Sequence, residues 1–330
     1  MAANTPAASV PPVANATALR ARAFQVGVTL CIINTIIGAS QPVLTRWGAV
    51  HLDPLLFCTA AVVFASISSI PFLQFRGELR LIVDPRYRAR LFMMSMAGTV
   101  MTSLTLTYGL TRIGAVPGVL LLQTEPIYSL VLSTVFVSER PSVRQMLATA
   151  TILVGIGSVF GAGGSFSPLW AAAMIFATPL FWQTSHVIGL RVMPPLTPTS
   201  VTGGRFFYAS LVLTAMLLIF RRDSLWQLAD LTSLGVISVT GFFVYFMSAL
   251  TWFGAINRLS LAWTTALVVP GIPILSILFA VMFLGERATT REAIGILISV
   301  SGVLALVLGA DPHRKQPAAE AAEAIHEPMI

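Results

Sequence analysis

Apolar residues occupy the chain in blocks of about twenty, parted by short polar segments. A hydrocarbon core about 30 Å thick takes about 20 helical residues at 1.5 Å each. Ten blocks meet that length, at 24–44, 54–75, 90–110, 115–137, 142–160, 168–190, 199–220, 231–250, 262–284 and 290–309. Backbone inside lipid must satisfy its own hydrogen bonds, so each block is predicted to be a helix. The ten-residue alternating segments of a β-barrel are absent. The pattern therefore predicts an all-α integral membrane protein with ten transmembrane helices. Residues 1–23 are Ala/Pro-rich without periodicity, and residues 310–330 are polar and Ala-rich, so both ends are predicted as disordered tails. The first block begins only after Arg20 and Arg22 and carries Asn34 and Gln41. That is unlike the apolar core of a signal peptide, and the block is expected to be retained as a helix.

Composition sharpens this reading. Of 330 residues, 56% are hydrophobic and 10% charged, with a mean hydropathy of +0.84, whereas soluble domains carry about 25% charged residues. Such a chain needs lipid as solvent. The net charge of +7 lies in the short segments between blocks, which suits a membrane surface and excludes a nucleic-acid partner. With a cytoplasmic N-terminus, 13 basic residues fall inside and 6 outside, with Arg205 within a block. The bias predicts a multi-pass protein of the inner (plasma) membrane, with both termini cytoplasmic and residues 161–167 external. Cys31 and Cys58 lie inside apolar blocks with no CxxC or Cys/His cluster. They are read as packing residues, and neither a metal nor a cofactor is expected.

The two halves repeat. Pro126, Glu139, Arg140 and Gly155 recur 147 positions later as Pro273, Glu286, Arg287 and Gly302. Ser142 and Gln145 match Thr289 and Glu292, a capping-box pattern at the start of the last helix in each half. Arg112 matches Arg258, and Pro54 matches Pro198, with small shifts of register. Each half, 24–160 and 168–309, then holds five spans, and an odd number inserts the second half upside down. The proline midway through the fourth helix, the "SER" or "GER" at its end and the glycine-bearing helix that follows resemble the EamA module of the drug/metabolite transporter superfamily. The resemblance implies two inverted five-helix repeats around a central cavity, cytoplasmic termini and frequent roles in exporting amino acids or related metabolites. It also implies an arginine in the second helix of a module. Arg205 supplies it in the second half, and Ala61 stands at the matching place in the first.

An ionisable group within a span costs about 2.5–3.5 kcal/mol on insertion scales and is by default a functional candidate. Glu125 lies near the middle of the fourth block, directly before Pro126, which is expected to kink the helix there, as Pro273 does in the repeat. Tyr128 stands three residues on, roughly on the same face. Glu125 reads as a proton or cation site, or as a hydrogen-bonded structural carboxyl. Arg205 reads as a binder of an anionic substrate group or a partner of Glu125, or as an arginine snorkelling to the interface. His186, four residues after Trp182, reads as a proton relay or as a capping or interfacial residue. Asn34, Gly38 and Gln41 share one helical face, and 144 positions later stand Thr178, Trp182 and Ser185. Tyr245, Ser248 and Trp252 form a similar face. These faces line a cavity or pack helices together. Glu139 and Glu286, beside arginines at helix ends, are read as structural.

The sum is a secondary transporter, or permease, for a small polar metabolite, an amino acid or a related compound, exported by alternating access. Its partners would be that substrate, protons as coupling ion, and membrane lipids. An enzyme is not expected, since HExxH and GxSxG are absent and only one carboxylate lies deep. The alternatives are a membrane-embedded enzyme and a non-transporting scaffold or receptor.

Overall fold

The computed structural model describes residues 13–137, 142–159, 166–192, 196–259, 264 and 267–308. Both predicted tails largely, the 161–167 loop up to residue 165, and Glu139 with Arg140 lie outside them. Among the described residues the chain is helical, with no strand. Its helices are α1 (Val13–His51), α2 (Pro54–Phe75), α3 (Pro85–Leu110), α4 (Ala115–Leu122), α5 (Glu125–Val137), α6 (Val143–Gly157), α7 (Leu169–Val192), α8 (Pro198–Phe220), α9 (Leu231–Ile256), α10 (Gly271–Leu284) and α11 (Thr290–Leu308). Six helical stretches among the described residues are long and apolar enough to cross a membrane, from α1, α2, α3, the α4–α5 pair, α8 and α9. Helices α6 and α10 are apolar but shorter, and part of the predicted 262–284 span lies outside the described residues.

Local chemistry sets the helix starts. Asp53 accepts from the N–H groups of Leu55 and Leu56 at 2.9 and 3.1 Å, with Pro54 opening α2. Asp84 and Pro85 do the same for α3. A side-chain oxygen relieves the unpaired N–H groups of a first turn, and proline there loses no bond. The two expected capping boxes both form, between Ser142 and Gln145 and between Thr289 and Glu292. Helix α1 runs further than its block, beginning at Val13 within the segment read as tail. It continues through Pro42, and its 39 residues span about 58 Å, longer than a hydrocarbon core of about 30 Å.

Two kinds of irregularity interrupt the bundle. The fourth block is two helices, broken at Gln123 and Thr124. The expected kink at Pro126 is thereby corrected. Pro126 is the second residue of α5, where its missing N–H has no bond to lose, and the turn before it carries the break. Pro273 likewise sits in the first turn of α10. Helices α3 and α9 each contain a π-helical stretch, Met96–Met101 and Thr240–Met247. These end 146 positions apart, the spacing that relates Arg112 to Arg258.

The chief packing pairs are α6 with α11, α2 with α8, α1 with α10, α3 with α7, and α1 with α9. Each joins a helix before residue 160 to one after residue 168, so the two halves interlock. Small residues allow the closest crossing. A Cβ on Gly302 would lie 2.8 Å from the Ala148 carbonyl oxygen, and one on Gly155 would collide with Ser299.

Candidate functional site

The irregular helices converge on one cavity of about 150 Å³. From α1 it is lined by Asn34, Gly38, Gln41 and Pro42. The π-helical part of α3 gives Gly98 and Thr99, followed by Thr102 and Ser103. The α4–α5 break gives Gln123 and Glu125, α7 gives Trp182 and His186, and α8 gives Arg205 and Phe206. Helix α9 adds Tyr245, Ser248 and Trp252, and the start of α10 adds Ile272 and Pro273. A π-turn frees backbone groups and re-aims side chains, and a broken helix exposes unpaired backbone at its ends. Non-helical backbone at membrane depth is tolerated where protein buries it or a cavity borders it.

The polar side chains are held by specific partners. Gln183 donates from Nε2 to Glu125 Oε1 at 2.8 Å. Arg205, 8% exposed, donates from Nε to Thr99 Oγ1 at 2.7 Å and from Nη2 to the Gly98 carbonyl. Gly98 must be glycine for this approach, since a Cβ there would collide with Ser185 and lie 3.3 Å from the guanidinium carbon. Asn34 donates from Nδ2 to the Ser248 carbonyl at 2.7 Å and to Thr251 Oγ1 at 3.0 Å, tying α1 to α9. The His186 ring stacks on Trp252, with centroids 5.2 Å apart, and Tyr245 stacks on Phe206 at 6.2 Å.

The family model for EamA-like transporters matches residues 25–161 and 169–308, which together are most of the chain. The chain belongs to the EamA-like transporter family. An uncharacterized transporter of Archaeoglobus fulgidus is 22% identical over 219 residues, covering 66% of this chain and 77% of the relative. A protein crystal structure superposes with a TM-score of 0.63 at 17% identity, over 88% of this chain and 97% of that one, which shows a shared fold. Family, relative and apolar helices together make this a multi-pass membrane transporter.

Most of the residues singled out in this EamA-family chain meet at the cavity: Asn34, Gln41, Glu125, Trp182, His186, Arg205, Tyr245 and Trp252 all line it. Arg205 turns inward to α3 rather than outward to an interface, and Glu125 and Arg205 are bonded to other partners, not to each other. Tyr128 is not among the lining residues. Three helical steps leave it about 60° from Glu125, and its ring packs edge-on against Phe176 of α7 at 5.7 Å. Pro126 is buried behind the break. Of the face matched in α7, Trp182 lines the cavity, while Thr178 shares a hydrogen bond with Thr105 at 2.8 Å and Ser185 donates to the Met94 carbonyl at 3.2 Å. Glu286 is structural, as expected. It accepts from the N–H groups of Ala115 and Val116 at 2.9 and 3.0 Å, capping α4, and lies 3.7 Å from Arg46.

Sequence reasoning missed Gln183, Gly98 and Thr99. Gln183 stands 58 positions from Glu125, and no local spacing links them. A polar residue beside Trp182 in an apolar block was the available signal.

Proposed function

We propose that this chain is a secondary transporter whose ten transmembrane helices form two inverted five-helix repeats, and that the cavity between them is the substrate site. The observation that carries this reading is the junction itself. The break between α4 and α5, the start of α10 and two π-helical stretches border one cavity, which among the described residues holds a single carboxyl, Glu125, and a single guanidinium, Arg205. Discontinuous helices around a midplane site recur in transporters that alternate access by rocking one repeat against the other.

The substrate is a small polar metabolite, an amino acid or a related compound. Glu125 takes a cationic group or a proton, and Arg205 takes an anionic group. A proton leaving Glu125 exposes a charge that a substrate amine can balance, so substrate and proton compete for one carboxyl. That competition is a minimal exchange mechanism and drives export across the plasma membrane, with both termini cytoplasmic. The test is efflux from proteoliposomes loaded with labelled amino acids, with and without an imposed pH gradient. Gradient-dependent efflux of at least one compound is expected. Equal leak from liposomes with and without the protein would overturn the reading.

A further inference from the structure

Two residues that border the cavity each carry a buried nitrogen without a hydrogen-bond partner among the described residues. Trp252 is 7% exposed, and its indole Nε1 is buried and unbonded, as is Nδ1 of His186. The two rings are stacked 5.2 Å apart at 25°, and Phe253 meets the imidazole edge-on at 6.2 Å. The imidazole is thus held between Trp252 and Phe253. An orphaned buried donor is costly, and such groups in native proteins nearly always find a partner. Both residues border the cavity, so a ligand that enters it and shifts these rings slightly is the nearest source of one.

We propose that the stacked Trp252–His186 pair is a recognition subsite for the carboxylate of the substrate. An indole nitrogen can only donate, so its partner is an acceptor, and His186 joins it in the tautomer that carries the proton on Nδ1. Arg205 borders the same cavity and spends two of its five N–H groups on Thr99 and Gly98, leaving further donors. Indole and guanidinium together make this wall donor-rich, which suits a carboxylate. Glu125, when ionised, only accepts and suits the opposite end of a zwitterion. The subsite therefore selects by donated hydrogen bonds rather than by charge alone. It rests on the reading of the cavity as the transport site.

The test separates the two. The twenty common amino acids are screened in the reconstituted efflux assay. KM is then measured for the best wild-type substrate and for the corresponding amine, which lacks only the carboxylate. Trp252→Phe keeps an aromatic ring in the stack and removes the N–H, and His186→Phe keeps ring and stack and removes the nitrogen. Each is expected to raise KM for the amino acid about tenfold, as loss of a hydrogen bond to a charged group does, and to leave KM for the amine unchanged. Having two variants keeps the test open if one folds poorly. If KM is unchanged for both compounds, water satisfies the nitrogens and the subsite is wrong while transport stands. Equal weakening for both compounds would mean a packing role and also overturns it. If wild type moves none of the twenty, the transport reading fails and the subsite fails with it.

Discussion

Glu125 opens α5 directly after the helix break, and the Gln183 amide reaches one of its carboxylate oxygens. That arrangement leaves the second oxygen for a proton or a cation. Glu125→Gln keeps the shape and removes the titration. Proton-driven accumulation is expected to vanish, while exchange between equal substrate pools continues; a wild-type response to the pH gradient in this variant would remove Glu125 from the coupling role. Arg205 is positioned by a hydroxyl and a carbonyl from the π-helical stretch of α3. Lysine lacks the planar fork and cannot hold both partners while presenting further donors. Arg205→Lys is therefore expected to weaken transport about tenfold, and Arg205→Ala further, with folded protein retained. Initial rates at fixed protein amount check both. Glu125 and Arg205 were legible because a charge inside an apolar block is costly wherever it points. Their partners were not, because Gln183 and Thr99 are ordinary polar residues whose relevance depends on which helices meet.

At the scale of elements, one helix end ties three helices together. Glu286, at the end of α10, caps the start of α4 and faces Arg46 on α1. Glu286→Ala leaves two N–H groups without acceptors, and stability is expected to fall by about 1–3 kcal/mol. Thermal unfolding in detergent measures it, and an unchanged midpoint would show that water replaces the carboxylate. Where α6 crosses α11, Gly302→Leu would drive a side chain against the Ala148 carbonyl and the backbone nitrogen of Ile152. Overpacking of that kind costs about 1–3 kcal/mol, seen as a lower unfolding midpoint. Most helices were legible from block length, and the capping boxes from their residue spacing. The π-helical stretches were not, since Met96–Met101 and Thr240–Met247 read as ordinary helix and packing decides where an extra residue is absorbed. The break at Gln123 was misplaced to Pro126 because proline is the visible breaker, although it marks the start of the next helix.

At the scale of the molecule, hydrophobic blocks and the recurring motifs made an all-helical membrane transporter readable before any coordinates. The interlocking of the halves was not readable in detail, because pairs such as α2 with α8 and α1 with α10 are fixed by side-chain fit across long separations. The central claim is that the cavity between the halves is the substrate path, open to one side at a time. Ala249 lines that cavity on α9, and the native Cys31 and Cys58 are both buried, so they contribute little background labelling. The most direct measurement places a cysteine at Ala249 in oriented vesicles and records its reaction with a membrane-impermeant thiol reagent from each side. The account predicts reaction from either side as the halves alternate, with substrate slowing it about tenfold by filling the cavity at saturating levels. A cysteine that never reacts from either face, or reacts equally fast whether or not transported substrate is present, would contradict it.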